Sequence, residues 1–421
     1  MSEIAGGRLG RDQVAGPGAE ILRGWRPLTA ATVGIGLGIA SLPFYTFGLF
    51  IPELEAEFGW SRSQISSVLF IGSIINIILS PLIGLVVDRY GVRIPSALSL
   101  AALGGIFMAL SAVGQPFTSF LLLSALMYVL AAASSPVSFT RAVNERFDRA
   151  RGIALGIALA GAGLVAFLAP QILGAQIAED WRGVYRILGI VVLVGAVVVG
   201  VLMPRSRGLA RAAARKEVSA APRLAPLLRT ALFGRLAVTF LLLALALGGM
   251  SVHLVPLLRD AGVSPASAAG TASLVGVALI VGRLVVGLLV DRFFAPKVAA
   301  IVLAVAAAGF LALLLGGPDL AVVAAIGLGL SLGGEVDVMG YLTARYYDLT
   351  CYGRLFGVLY AIFVVGIGAS PLLISWLRSA TGGYDIALIA SVGLLAVASV
   401  LLLTAPRFPD RTTAEREEVS A

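Results

Sequence analysis

The sequence has few charged residues, one cysteine and one histidine, and each shortage excludes a class of protein. Charged residues make up 13% of the 421 positions and hydrophobic residues 59%, whereas a soluble domain is about 25% charged. So few charges cannot cover the apolar surface of a soluble chain, and lipid must therefore be the solvent for much of it. The lone Cys351 excludes an internal disulfide and a cysteine-based metal site, and the lone His253 excludes a multi-histidine site.

Motifs of enzymes and of ATP-driven transporters are also missing from the sequence. It has no Gly-x-x-x-x-Gly-Lys-Ser/Thr run that could bind phosphates, and the connections between apolar segments leave no room for a soluble domain of useful size. We therefore expect no enzyme activity, no cofactor and no metal.

Long apolar runs separated by short polar connections dominate what is present. A membrane-spanning helix needs about 20 mostly apolar residues, and strands are excluded because the runs are continuous rather than alternating. The sequence predicts an all-α membrane protein with twelve transmembrane helices. Their approximate ranges are 28–50, 64–87, 94–113, 117–140, 152–174, 183–203, 232–257, 266–290, 297–315, 319–343, 354–377 and 384–405.

Lysine and arginine are distributed unevenly over the connections, and this predicts the orientation of the chain. With the N-terminus inside, the cytoplasmic connections hold 25 of the 31 basic residues, the external loops hold five, and Arg283 lies inside a helix. We expect a multi-pass protein of a bacterial inner membrane with both termini in the cytoplasm. The net charge of +8 is spread over membrane-flanking loops, which argues against nucleic acid as a partner.

The two halves of the sequence repeat each other. Gly84-Leu-Val-Val-Asp88-Arg89 reappears as Gly287-Leu-Leu-Val-Asp291-Arg292, and residues 152–156 have a counterpart in 353–357. Such a repeat predicts two pseudo-symmetric six-helix bundles with a substrate site between them near the membrane midplane. The predicted segments are a cytoplasmic tail (1–27), a first bundle (28–203), a basic cytoplasmic linker (204–231), a second bundle (232–405) and a second cytoplasmic tail (406–421).

The run Gly84-x-x-x-Asp88-Arg89-x-Gly91-x-Arg93 is similar to the loop motif of the major facilitator superfamily, which the chain resembles over its whole length. Within that superfamily it resembles the monocarboxylate and oxalate/formate transporters, in residues 58–64, 147–158 and 282–292. The resemblance implies the major facilitator fold and a secondary active transporter of a small organic anion of the monocarboxylate class. It would work by alternating access, with proton symport or anion exchange. Its partners would be the solute, protons and the lipid bilayer, and it would function as a monomer.

The sequence departs from that group at three places. Arg-Gly-Trp-Arg stands at 23–26 where animal carriers have an acidic signature, Leu279 replaces an aspartate, and Phe363 replaces a lysine of the oxalate exchangers. The first two departures count against the animal type of proton coupling, and the third counts against a dicarboxylate. The alternative function is a proton-coupled exporter of a drug or other small metabolite on the same fold. Such exporters carry Gly-Pro in helix 5, where this chain has Ala169-Pro170.

Arg283 is the principal candidate for substrate binding. It lies deep in helix 8 among apolar neighbours, where a charge costs at least about 2.5–3.5 kcal/mol and must face protein or a water-filled cavity. Its guanidinium stays charged and fits a carboxylate, and the resemblance implies the same role. The other interpretation is a structural ion pair with an acid of helix 10. Further candidates for lining the substrate site are Tyr45, Tyr128, Tyr341, Tyr360 and Asn76.

Three other titratable residues lie inside predicted helices. Glu335 and Asp337 belong to helix 10, and residues two apart cannot share one helix face. Our hypothesis is that Glu335 pairs with Arg283 before substrate binds and takes a proton when a substrate carboxylate displaces it; a permanent salt bridge is the alternative. His253 in helix 7 is either a proton relay or a hydrogen-bonded histidine near the external end.

Charged residues at the cytoplasmic ends of the helices are expected to gate the transporter. They would hold that side closed in one state and separate in the other. The predicted gating residues are Asp88, Arg89, Arg93, Arg141, Asp291, Arg292 and Arg345.

Overall fold

The computed structural model describes residues 17–147, 150–205, 224–347 and 349–408, and within these ranges it contains helices and no strands. Most of the predicted N-terminal tail, basic linker and C-terminal tail lies outside the described residues. The helices of the first half are α1 (Pro17–Arg23), α2 (Trp25–Leu37), α3 (Leu42–Phe58), α4 (Arg62–Tyr90), α5 (Arg93–Leu110), α6 (Phe117–Leu130) and α7 (Pro136–Arg146), followed by the helical range Arg151–Leu202.

The range Arg151–Leu202 is interrupted at Asp180, whose backbone leaves the helical region with φ −145° and ψ 78°. The Asp180 carboxylate accepts a hydrogen bond from the Gly183 backbone N at 2.8 Å, so it satisfies a free donor at the start of the next helix. We name the two arms α8 (151–179) and α9 (181–202). The predicted ranges leave a loop at 175–182, and the structure has one non-helical residue, Asp180, in its place.

The second half continues the same pattern of long helices and short connections. Its helices are α10 (Leu224–Leu228), α11 (Ala231–Asp260), α12 (Pro265–Arg292), α13 (Ala295–Gly316), α14 (Ala321–Tyr346), α15 (Leu349–Thr381) and α16 (Asp385–Leu403).

The predicted first and fourth helices are each broken rather than continuous. Residues 38–41 separate α2 from α3, and the 3₁₀ turn Ala132–Ser134 separates α6 from α7. The breaks meet: the backbone N of Ile39 donates to Ser134 Oγ at 3.1 Å, which satisfies a backbone group that would otherwise be unpaired in the membrane. A Cβ at Gly38 would lie 2.2 Å from the Ser134 carbonyl oxygen, so only glycine permits this approach.

The stretch 58–64, which carried part of the family resemblance, has a local structural role. Gly59 ends α3 in the left-handed region with φ 68°. Ser61 then begins α4 with a capping box: its Oγ accepts from the Gln64 backbone N at 3.2 Å, and Gln64 Oε1 accepts from the Ser61 backbone N at 2.9 Å. These residues make a sharp turn between two membrane helices.

Nine helical ranges of the described residues are long and apolar enough to cross a membrane. Three of them, Trp25–Phe58, Arg151–Leu202 and Ala295–Tyr346, each contain two of the helices named above, and Phe117–Leu130 is a shorter apolar helix. The number of helices that cross the bilayer, twelve by hydropathy, stays a prediction.

The first half (α2–α9) meets the second half (α11–α16) through three helix pairs. These are α8 with α12, α4 with α15, and α3 with α11. The pairs leave a space in the middle of the molecule, and the candidate substrate site lies there.

Candidate functional site

A central cavity of about 830 Å³, part of it open to solvent, lies between the two halves. Aromatic and small side chains form most of its wall, and Glu335 is the charged residue among them. The lining residues are Ile39, Ala40, Phe44, Tyr45, Leu69, Ser73, Asn76 and Tyr128 from the first half, with Leu332, Glu335, Tyr360, Phe363, Val364, Ile367 and Gly368 from the second. Two of these residues, Ile39 and Ala40, lie in the helix break at 38–41.

The structure places three of the four predicted tyrosines in this lining and one elsewhere. Tyr45, Tyr128 and Tyr360 line the cavity, as does the predicted Asn76. Tyr341 instead packs near Phe408, with ring centroids 6.4 Å apart. The sequence placed it in a membrane helix but could not say which face of that helix it occupies.

Arg283 is held by the close packing of α12 against α14. A Cβ at Gly333 would lie 2.2 Å from the Leu279 carbonyl oxygen, so glycine is what allows the two helices to approach. The Arg283 side chain is 19% exposed, and its Nε donates to Asp337 Oδ2 at 3.1 Å and to the Gly333 carbonyl at 3.3 Å. Its Nη1 is buried and has no hydrogen-bond partner among the described residues.

The acid that pairs with Arg283 is Asp337 rather than Glu335, which corrects our hypothesis for this state of the protein. Glu335 lines the cavity instead, and its buried Oε2 has no hydrogen-bond partner in the described part of the chain. On an α-helix, the side chains of residues i and i+2 point in directions about 200° apart around the helix axis. The rotation of α14 therefore turns Asp337 towards α12 and Glu335 towards the cavity, and hydropathy carries no information about that rotation.

One end of the molecule, which we call the closed end, is sealed by ion pairs between the two halves. Arg62, only 4% exposed, binds Asp260 through both terminal nitrogens, with Nη2–Oδ1 at 2.7 Å and Nη1–Oδ2 at 2.8 Å. Its Nε donates to Glu55 at 2.7 Å and its Nη1 to the hydroxyl of Tyr384 at 2.7 Å. A planar guanidinium suits this many simultaneous acceptors.

Further contacts at the closed end join the halves around Arg62. Arg378 binds Asp260 at 3.0 Å and lies 3.8 Å from Glu55. Arg259 forms an ion pair with Glu53. The distribution of basic residues assigns Arg62, Arg259 and Arg378 to external loops and predicts no role for them in joining the halves. The signal that could have found them was the stretch 58–64, whose turn places Arg62 next to the helix ends.

His253 lies fully buried behind this network and is hydrogen-bonded on both ring nitrogens. Nε2 is 3.0 Å from the Pro371 carbonyl and 3.0 Å from Ser375 Oγ, and Nδ1 is 3.1 Å from the Tyr384 hydroxyl. Because a carbonyl can only accept, Nε2 carries the proton and Nδ1 accepts from Tyr384. His253 therefore orients Tyr384, whose hydroxyl accepts a hydrogen bond from Arg62.

At the opposite end, which we call the open end, the paired helices diverge. Along the antiparallel pair of α8 and α12, a Cβ at Gly174 would lie 2.1 Å from Ala269 Cβ, and one at Gly163 would lie 2.4 Å from the Ile280 side chain. Gly156 and Gly287 come about two helical turns further on the same faces. A Cβ at either would meet nothing within 4 Å, so the helices have separated there.

The pair of α4 and α15 diverges in the same way. Ser66 Oγ lies 2.8 Å from Ser375 Oγ, and a Cβ at Gly368 would lie 2.2 Å from Ser73 Oγ. Gly84 and Gly357 follow about three turns further on the same faces, and a Cβ at either meets nothing within 4 Å. Gly84 and Gly287 begin the first repeated motif of the sequence, and Gly156 and Gly357 close the second.

The predicted gating residues lie at the open end, and the structure shows contacts for several of them. The Nε of Arg93 donates to the Gly200 carbonyl, Arg141 binds Glu145 at 3.0 Å, and Arg345 lies over the Phe408 ring with Cζ 4.8 Å from its centroid. Arg89 lies over the ring of its neighbour Tyr90 at 5.5 Å. Asp291 and Arg292 are exposed at the end of α12, and the side chain of Asp88 lies outside the described part of the structure.

Comparison with known proteins identifies the class of transporter. The sequence model of the Major Facilitator Superfamily matches residues 33–348, most of the chain, and the chain belongs to this superfamily. It is 26% identical over 376 residues to monocarboxylate transporter 13 of Bos taurus, a match that covers 86% of this chain and 85% of that protein. It is 28% identical over 294 residues to monocarboxylate transporter 12 of Mus musculus, covering 62% of this chain but only 60% of the mouse protein.

Solved structures of other transporters share the fold. A bacterial homolog of the human lysosomal transporter Spinster, in an inward-facing and occupied conformation, superimposes with a TM-score of 0.69 at 16% identity, covering 91% of this chain and 96% of that one. The nucleoside transporter NupG superimposes with a TM-score of 0.72 at 13% identity, covering 91% of this chain and all of that one. The predicted major facilitator fold is confirmed.

Proposed function

We propose that the chain is a secondary active transporter of a small organic anion of the monocarboxylate class. It works by alternating access, coupled either to proton symport or to anion exchange. The observation that carries the proposal is the buried Nη1 of Arg283, which has no partner among the described residues. A carboxylate is the acceptor that a guanidinium binds best, and the names of the two mammalian relatives point to the same substrate class.

The position of Arg283 suits a substrate anchor. Its Nε is occupied by Asp337 and by the Gly333 carbonyl, which fix the plane of the guanidinium against α14. Leu332 and Glu335, on either side of Gly333 in that helix, line the cavity. Arg283 is not itself among the residues that line the cavity, so its terminal nitrogens would bind a solute that reaches the contact between α12 and α14 beside this wall.

The two ends of the molecule fit one stage of a transport cycle. If the closed end faces the periplasm, as the distribution of basic residues predicts, both termini lie in the cytoplasm of a bacterial inner membrane. The cavity is then accessible from the cytoplasm in this structure, and the ion pairs around Arg62 seal it from outside. If the ion pairs at the closed end separated and the helices at the open end came into contact, the cavity would face the other side of the membrane and release the solute there.

Uptake into proteoliposomes tests the proposal directly. Labelled lactate, pyruvate, acetate and oxalate are offered with and without a pH gradient, and we expect uptake of at least one monocarboxylate in preference to oxalate. Arg283→Lys should raise the half-saturating concentration by about tenfold or more, because an ammonium cannot replace the planar fork. Arg186→Lys is the matched control, since Arg186 is an exposed arginine of the closed end with a side chain 58% accessible.

Two results would contradict the proposal. Absence of uptake for all four solutes would remove the monocarboxylate class. An unchanged half-saturating concentration in Arg283→Lys would remove Arg283 as the anchor while leaving a transporter of another solute.

A further inference from the structure

We propose that the open end of the first half contains a second binding site, for one small monovalent anion, between α4 and the start of α7. Its binding residues are Asn76, Ser135, Ser138 and Arg141. The anion is either an inorganic halide such as chloride or the carboxylate of the transported solute, since both offer one negative charge to hydrogen-bond donors. Only the second source rests on the proposed function, and the site is separate from Arg283.

The site is a cavity of about 370 Å³, part of it open to solvent, within the first half of the molecule. Its polar wall consists of three serine hydroxyls, one side-chain amide and one guanidinium, all of which can donate hydrogen bonds. The lining residues are Asn76, Ser80, Ile83, Gly84 and Val87 from α4, with Ala132, Ser135, Val137, Ser138 and Arg141 from the break and α7.

The charge of this wall is positive. Arg141 is the charged residue among the described lining residues, and no carboxylate is among them. Glu145 accepts from the Arg141 Nε at 3.0 Å, but Glu145 does not itself line the cavity. A guanidinium surrounded by hydroxyl and amide donors suits an anion and not a cation.

Two serine hydroxyls of the wall are buried and lack a protein partner. Ser138 is 2% exposed and Ser135 is 9% exposed, and neither side chain hydrogen-bonds to another residue in the described part of the chain. Their neighbour Ser134 differs, because its Oγ donates to the Ala131 carbonyl at 2.7 Å and accepts from the Ile39 N at 3.1 Å. A buried hydroxyl without a partner is unfavourable, so an acceptor that enters the cavity gains hydrogen bonds from both serines.

The start of α7 adds a positive potential to the same cavity. The break at Ala132–Ser134 places the N-terminus of this 11-residue helix inside the first half, and Ser135 does not cap it with its side chain. The unpaired N–H groups and the dipole at a helix N-terminus favour negative charge. Ser135, Ser138 and Arg141 are spaced three residues apart, so they lie on one face of the helix.

The position of the site connects it with the transport path. Asn76 lines both this cavity and the central cavity, so the two are adjacent. Gly84 lines the site and belongs to the face of α4 from which α15 has separated. If the open end closed by contact of Gly84 with Gly357, α15 would cover the site. The site is therefore accessible to its ligand in this state and covered after the open end closes.

Line broadening of the chloride NMR signal by the full-length protein in detergent tests the inference, with gluconate replacing chloride to keep the ionic strength constant. We expect saturable broadening by the wild type. Ser135→Ala combined with Ser138→Ala should weaken chloride binding by about tenfold or more, because two donors are lost. Arg141→Gln should weaken it by about threefold or more, and this second variant keeps the test available if the serine variant does not fold.

Thr140→Ala is the matched control. It removes a hydroxyl from the same helix, where Thr140 Oγ1 donates to the Val137 carbonyl at 3.2 Å, and Thr140 does not line the cavity. Chloride binding should therefore stay at the wild-type level in this variant.

Added butyrate identifies the source of the natural anion. Narrowing of the wild-type chloride signal by butyrate would support the solute carboxylate, and a signal that butyrate leaves unchanged would support a halide. Absence of broadening beyond that of empty detergent micelles would overturn the inference. So would broadening that persists at full strength in the serine variant and in Arg141→Gln. Failure of monocarboxylate uptake would contradict the proposed function and would leave the chloride result standing.

Discussion

The closed end and the open end are built from the same pairs of helices but are held in opposite ways. At the closed end, Arg62 joins the two halves through Asp260 and Tyr384, with every contact between 2.7 and 2.8 Å. At the open end, the same helix, α4, reaches Gly84 without meeting anything that a Cβ would touch. The closed end is held together by ion pairs, whereas at the open end the facing glycines of the paired helices are not in contact in this state.

The difference between the two ends shows that the repeated motifs of the sequence lie at the open end. The four glycines that lie at the diverging faces, Gly84, Gly156, Gly287 and Gly357, all come from the two repeated motifs. Elsewhere on the same faces, small residues let the helices touch, as at Gly368 and Ser73. We infer that these four glycines let the helices meet at the open end when the closed end opens.

Removing Arg62 should have the largest effect on transport, because Arg62 is the residue that joins the two halves at the closed end. Arg62→Ala removes the buried cation between Glu55 and Asp260, leaves Arg378 as their remaining shared cation, and removes the hydrogen bond to Tyr384, so the closed end should seal poorly. We expect uptake to fall by about tenfold or more, because loss of one partner from a largely buried ion pair is strongly destabilising. Arg186→Ala, an exposed arginine at the same end, should transport normally. Normal transport by Arg62→Ala would show that the network is not the seal.

Adding bulk at the open end should give the next largest effect. Gly357→Val should leave the present state intact, because a Cβ there meets nothing within 4 Å, but should hinder closure against Gly84. We expect the maximal rate to fall by about fivefold with the half-saturating concentration little changed. Gly105→Val is the control, since Gly105 is exposed on α5 and a Cβ there also meets nothing. Equal losses in both variants would point to general damage instead.

Glu335→Gln tests whether the coupling proton binds between the two ends. If Glu335 takes a proton when a simple monocarboxylate binds, the variant should lose most of the stimulation by an inward proton gradient, about threefold or more. The measurement is butyrate uptake at several external pH values with a fixed internal pH. A variant that keeps the full pH dependence of the wild type would exclude Glu335 as the coupling site.

Asp88→Asn should produce the smallest change. The sequence assigns Asp88 to the gate at the open end and not to the substrate, so the maximal rate should change by about two- to threefold. Substrate affinity should stay the same when binding is measured separately by displacement of a labelled ligand. A change confined to affinity would remove Asp88 from the gate.

The positions of the helices could be predicted from the sequence, but the residues that contact each other between helices could not. Hydropathy placed most helices within a few residues, because the need for apolar length acts locally along the chain. It missed the breaks at 38–41 and 131–135, where distant side chains bind the backbone: Ser134 accepts from the Ile39 N, and Ser96 donates to the Ala133 carbonyl. It also missed the short connection at Asp180, which a helix cap makes possible.

The site shows the same division between local and distant information. Arg283 stood out because a charge inside an apolar run is expensive wherever it faces. Its pairing with Asp337 instead of Glu335 depends on how α14 is rotated, and the packing of Gly333 against Leu279 helps to set that rotation. Arg62 and Asp260 are separated by 198 residues, so no local pattern connects them.

The most direct test of the account is whether the two ends close alternately. In a Cys351→Ala background, one variant carries Ser66→Cys with Ser375→Cys at the closed end, where the two Oγ atoms are 2.8 Å apart. A second variant carries Gly84→Cys with Gly357→Cys at the open end. We predict that without substrate the first pair forms a disulfide quickly and the second slowly. During transport, the second pair should form faster than before, and either disulfide should stop uptake until it is reduced. Rapid formation of the Gly84–Gly357 disulfide without substrate, or continued uptake by the cross-linked protein, would contradict the account.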